Sequence, residues 1–165
     1  MNLGLMFYIL HEDAHGDALW TSGWLPNQMA DEGVLQMMDV YFRDAAEPTT
    51  FELTLLRTVP TKTDTVLSLA EVYSTGYARK TVERDNIGWP ELEVSAGDPR
   101  ISAKQIVFEN QTESDWQGAL AVGLISRLYE NDKFVGWRPF AGERVLSPGE
   151  KIYITLRLKA IEGGV

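Results

Sequence analysis

The chain is 165 residues long, 44% hydrophobic and 24% charged, the composition of one globular domain able to bury roughly two thirds of its unfolded surface. Its 15 basic residues against 24 acidic ones leave a formal charge of −9, with no run of Lys or Arg; this argues against nucleic acid as a partner, because phosphate binding needs clustered basic side chains. The absence of cysteine removes disulfides, thiolate metal sites and cysteine nucleophiles together.

Leu3–Leu10 is apolar but has no basic segment before it, and His11-Glu12-Asp13 follows at once. It is much shorter than the roughly 20 residues a membrane span requires and lacks the features of a signal peptide, so no membrane partner is expected. The alternation of Leu3, Leu5, Phe7 and Ile9 predicts a strand, turned at His15-Gly16-Asp17 and returning through Ala18–Trp24. Residues 1–24 thus read as an N-terminal arm or hairpin, and residues 25–165 as the main domain. Pro26 and Asn27 open a helix near 28–44, in which Val34, Met37, Met38 and Tyr41 fall at i, i+3, i+4 and i+7, widened by Leu35 and Phe42. That stripe, with Met29, predicts a core-facing helix side. Asn27 or Asp31 can cap it, Glu32 suits its first turn, and Glu47-Pro48 closes it off.

The remainder reads as β. Phe51–Leu56, Tyr77–Arg84, Glu91–Val94 and Ile101–Phe108 are strands, separated by loops such as Thr58–Thr65 and Asn86–Pro90. Leu120–Leu128 is apolar on both faces, as a central strand would be. Asn131-Asp132-Lys133 turns into Phe134–Trp137, and Ser147-Pro148-Gly149 leads to a final strand with Ile152, Ile154, Leu156 and Leu158 inward. The pattern predicts a mainly β chain, an antiparallel β-sandwich of jelly-roll type with one N-terminal amphipathic helix.

Two chemical patterns need weighing. His11-Glu12-Asp13-Ala14-His15 matches H-E-x-x-H, which on a helix would place two imidazoles on one face for zinc. Here an alternating run precedes it, Gly16-Asp17 follows, and no third histidine exists, so a hairpin tip is the better reading and no metal, cofactor or catalytic residue is expected. Trp20, Trp24, Trp89, Trp116 and Trp137 could stack on sugars if exposed, which keeps a carbohydrate-binding module as an alternative. Trp116 and Trp137 read as core or interface anchors, and Trp89, in a Gly/Pro loop, as the most exposed.

A series of landmarks runs along the rest of the chain: Ser74-Thr75-Gly76-Tyr77-Ala78-Arg79, the strand Ile101–Phe108, Asp115-Trp116, the Gly-containing strand Ala119–Ile125 and Trp137-Arg138-Pro139, before a Pro-Gly-Glu turn and the last strand. In order and spacing this resembles a family of structural proteins of tailed-bacteriophage virions, tail-fibre-like or head decoration proteins, over roughly Trp24 to Leu158. The resemblance implies a non-enzymatic virion component, assembled in the host cytoplasm, with phage capsid or tail proteins and further copies of itself as partners. The absence of a fibre-forming repeat favours a head decoration (cement) protein in a small cyclic homo-oligomer, possibly a trimer, over a tail-fibre or baseplate-associated protein. An apolar stripe at a chain end can dock on a neighbour, so Leu3, Leu5, Phe7, Ile9, Trp20, Trp24 and Trp89 are the expected interface residues.

Overall fold

The computed structural model describes residues 2–26, 28–95, 98–129 and 131–161. The described residues are mainly β, in two antiparallel sheets. Sheet A contains β1 (Asn2–Glu12), β2 (Ala18–Thr21), β3 (Leu25–Pro26), β7 (Glu91–Ser95), β8 (Asp98–Ser102), β9 (Ile106–Glu109) and β12 (Lys151–Ile161), with the order β2-β1-β12-β8-β7; β3 pairs with β1 and β9 with β12. Sheet B contains β4 (Gln28–Met29), β5 (Thr50–Leu56), β6 (Lys80–Glu83), β10 (Ala119–Arg127) and β11 (Lys133–Arg144), in the order β4-β11-β10-β5-β6.

Strand alternation builds the core between the sheets. From sheet A come Leu5, Phe7 and Ile9 of β1 and Ile152, Ile154 and Leu156 of β12; from sheet B come Leu53, Leu55, Val122 and Leu124. A smaller cluster lies on the other face of sheet B, where Leu56, Ala121, Ile125, Phe134 and Trp137 pack with the half-buried Val66 and Leu69 of the connection after β5. The two-faced apolarity of β10 follows from this: Val122 and Leu124 serve one cluster, Ala121 and Ile125 the other.

The first strand does not form an arm apart from the sandwich. β1 pairs with β12 without a register shift from Asn2↔Ile161 to Glu12↔Lys151, and Leu5, Phe7 and Ile9 are 3%, 0% and 0% exposed. The first and last strands share their apolar period, so each completes the other's inner face. The exposed stripe expected on Leu5, Phe7 and Ile9 is core; for Leu3 the backbone pairing with Ala160 is all that is described.

The helix α1 (Asp31–Arg43) also differs from expectation in the face it buries. Gly33 and Gln36 are its buried residues, whereas Leu35, Met38, Tyr41 and Phe42 are 64%, 54%, 81% and 85% exposed. Close approach decides this. A Cβ at Gly33 would sit 2.5 Å from the Val135 Cα, so the helix backbone rests directly on β11. Gln36 Oε1 then accepts from the buried Ser126 hydroxyl at 2.5 Å. The N-cap is Ala30, without a side-chain cap; Asn27 lies outside the described residues. Glu32 does more than suit the helix dipole: its carboxylate accepts the Phe134 N–H at 2.8 Å. Asp44, in the left-handed region at φ 54°, ends the helix.

Candidate interaction site at the sheet A edge

The residues flanking β7 set the geometry. In the register of sheet A, Leu5 stands opposite Leu158, Leu158 opposite Ile101 and Ile101 opposite Leu92. Directly opposed residues of antiparallel strands share a face, so these four form one apolar row across β1, β12, β8 and β7. Exposure climbs along it, from 3% at Leu5 to 79% at Leu92. Val94, two residues on and on the same face, is 69% exposed.

Beside this row lies a cavity of about 350 Å³, walled by Ile101 and Leu158 of sheet A, Met37, Val40 and Tyr41 of α1, and Trp89. Its lining is apolar apart from Gln36 and Arg84; Arg84 is ion-paired to Glu47 at 2.5 Å. Gln36 Nε2 and Trp89 Nε1 are buried with no hydrogen-bond partner among the described residues.

The opposite face of the same strands is charged. Glu91 and Glu93 alternate with Leu92 and Val94, and Arg100 holds Glu93 Oε1 through Nε at 2.7 Å and Nη2 at 2.5 Å. Further in, Arg157 lies 3.8 Å over the Trp24 ring and donates to the Ser102 hydroxyl at 3.1 Å. Burial, and then the nearby Arg100 charge, lower the Arg157 pKa against the opposing pull of Glu91 and Glu93.

A second polar cluster sits on sheet B and accounts for the Gly76-Tyr77-Ala78-Arg79 element. The Tyr77 hydroxyl accepts the Leu55 N–H at 2.8 Å and meets the Thr54 hydroxyl at 2.9 Å. Thr54 in turn donates to Glu71 at 2.7 Å. Arg79 binds Glu71 through Nε at 3.0 Å and again through Nη2, and reaches Glu52 at 3.1 Å. Burial pushes the Glu71 carboxyl up, but the hydrogen bonds from Arg79 and Thr54 and the Arg79 charge outweigh it and leave the net shift downward. Burial likewise raises the Tyr77 phenol. An ionised, clamped carboxylate and a neutral phenol make a hydrogen-bonded brace, with neither group poised to transfer a proton at neutral pH.

The structure separates the residues expected to form an interface. Trp89 is 9% exposed rather than the most exposed tryptophan. Asp85 explains it: its carboxylate accepts the Ile87 and Gly88 N–H groups at 2.9 and 2.8 Å and its carbonyl accepts the Trp89 N–H at 2.9 Å, folding the loop so that the indole meets Phe51 edge-on at 5.9 Å. Trp20 and Trp24 are half-buried, under the guanidinium groups of Arg144 and Arg157 respectively. None of the tryptophans is exposed. His11 lies on β1, buried, with Nε2 3.2 Å from Glu150, while His15 lies in the turn beyond, so the H-E-x-x-H spacing falls on a strand and turn. The residues that sequence reasoning passed over are Leu92 and Val94. Their alternation with Glu91 and Glu93 was visible; their place on the outermost strand was not.

Comparison of the sequence with protein-family models and with curated proteins finds no match.

Proposed function

We propose that this chain is a non-enzymatic structural component of a tailed-bacteriophage particle, a head decoration protein in preference to a tail-fibre or baseplate-associated one, built on a sandwich of jelly-roll type. The observation that carries this reading is the outward face of α1, where Leu35, Met38, Tyr41 and Phe42 stand 54–85% exposed. Large apolar side chains grouped on one exposed helix face mark a surface that another protein covers, and a decoration protein needs such a surface for its neighbours around a symmetry axis. The resemblance running from Gly76-Tyr77-Ala78-Arg79 to Trp137-Arg138-Pro139 supports the assignment to virions. The formal charge of −9 suits a basic lattice protein and repels packaged DNA.

Sedimentation of the purified chain and immunogold labelling of particles test the proposal. The expected result is a concentration-dependent oligomer weakened by Met38→Asp, and gold distributed over the head. Gold confined to the tail favours the alternative, and a strict monomer that labels no particle overturns the reading.

A further inference from the structure

We propose that β7 is a strand-addition edge, and that its occupant is a partner segment in which apolar residues alternate with Lys or Arg. This goes beyond the virion reading and does not depend on the α1 face. Among the described residues β7 terminates sheet A and pairs on one side only, with β8, from Glu91↔Ser102 to Ser95↔Asp98 without a register shift. In an antiparallel pair, alternate backbone N–H and C=O groups turn away from the partner strand, so β7 offers a ready ladder to a further strand. Edge strands are ordinarily blunted by charged side chains, by Pro or by a bulge. Glu91-Leu92-Glu93-Val94-Ser95 has no Pro, Lys or bulge, and its two charges are both acidic, so they repel an acidic strand but not a basic one.

Side chains then specify the occupant. On one face, the row Leu5–Leu158–Ile101–Leu92 ends in a leucine 79% exposed, beside Val94 at 69%. An apolar residue placed opposite Leu92 extends that row and covers it. On the other face, the next strand must face Glu91 and the Glu93 carboxylate that Arg100 already holds, and directly opposed unlike charges stabilise while like charges destabilise. The same rule disfavours a second copy of this chain. Antiparallel self-pairing centred on Leu92 sets Glu91 against Glu93, pairing centred on Glu93 sets it against itself, and pairing centred between them opposes leucine to glutamate; a register centred on Val94 avoids these oppositions but pairs only residues 93–95 of the strand. A hetero-partner with basic residues at alternate positions meets none of these conflicts, and the net charge of −9 attracts it from a distance.

The probe is a capped seven-residue peptide of alternating lysine and valine, titrated into the isotopically labelled full chain and followed by backbone amide resonances. Three control peptides accompany it: one of the same composition with lysines and valines in separate blocks, one with glutamate for lysine, and one N-methylated along a single edge. The expected result is saturable shifts in residues 91–95 with the alternating peptide alone, and binding about tenfold weaker with Leu92→Lys, similarly reduced when Glu91→Lys and Glu93→Lys are combined, and unchanged with Met38→Asp. Thermal melts of each variant check that these exposed substitutions leave the fold intact. Equal binding of the block or N-methylated peptide shows bulk charge attraction and overturns the proposal, as does binding indifferent to Leu92→Lys. Dilution-dependent shifts of residues 91–95 without peptide assign the edge to a second copy and overturn it too. Particle labelling is unaffected by any of these results, so failure here and failure of the virion reading are separately visible.

Discussion

Trp116 donates its indole N–H to the Thr75 carbonyl at 3.0 Å, and its ring meets Tyr77 edge-on at 5.5 Å and 89°. Tyr77 lies flat against Phe108 on its other side, 6.0 Å away and tilted by 9°. Two landmarks forty residues apart in the chain are thus one contact, which pins the segment before β6 against the sandwich. Gly76 makes the approach possible: at φ +76° it occupies the left-handed region, and a Cβ there would come within 2.7 Å of Thr112.

Tyr77→Phe keeps both ring contacts and removes only the hydroxyl. The buried Leu55 N–H loses its acceptor, an unsatisfied donor costing about 1–3 kcal/mol. Chemical denaturation should show that loss with an unchanged m-value, and a variant as stable as the parent would mean the hydroxyl is dispensable.

Acid should weaken the protein partly through Glu71. Its carboxyl titrates lower in the folded state than in the unfolded chain, so its contribution is fully present above the ordinary glutamate value and is lost as the pH falls through the lowered one. Denaturation midpoints measured from about pH 7 down to about pH 3 should fall, and Glu71→Gln should be less stable at the neutral end with a shallower decline. Parallel curves for the two proteins would remove Glu71 from the acid response.

The helix gives paired expectations of opposite character. Gly33→Ala forces a methyl against the Val135 backbone and should cost about 1–3 kcal/mol. Met38→Asp, on a side chain 54% exposed, should change monomer stability by only about 0.5 kcal/mol while weakening association. Melting temperatures and sedimentation of the two variants separate these effects; a large loss of monomer stability from Met38→Asp would put Met38 in the core.

Removing residues 1–12 should unfold the chain. Leu5, Phe7 and Ile9 are almost wholly buried, each stabilising by about 1.5–3 kcal/mol against a total margin of about 5–15 kcal/mol, and β12 would lose its pairing on the β1 side along its whole length, keeping only β8 and β9 on the other. Circular dichroism of the truncated chain is the check, a cooperative native-like melt being the contrary outcome.

By itself the sequence determined the local elements whose side chains declare their own period. Ile152, Ile154 and Leu156 alternate inward on β12 as their spacing requires, and the two apolar faces of β10 are written in Ala121, Val122, Leu124 and Ile125. What tertiary structure decided is which of two apolar surfaces is covered. Leu3–Ile9 and the α1 stripe are both amphipathic in sequence, one assigned to a neighbour and the other to the core, yet Leu5, Phe7 and Ile9 are core while Leu35, Met38, Tyr41 and Phe42 are exposed. β1 is buried because β12, some 140 residues later, supplies a matching strand, and no local pattern encodes that pairing. Most of the α1 stripe (Leu35, Met38, Tyr41 and Phe42) is exposed, with Val34 and Met37 half-buried, because the lack of a side chain at Gly33 let the helix backbone meet β11. Leu92 and Val94 follow the same logic: alternation makes them a strand, but only the order of strands in the sheet leaves them at its edge.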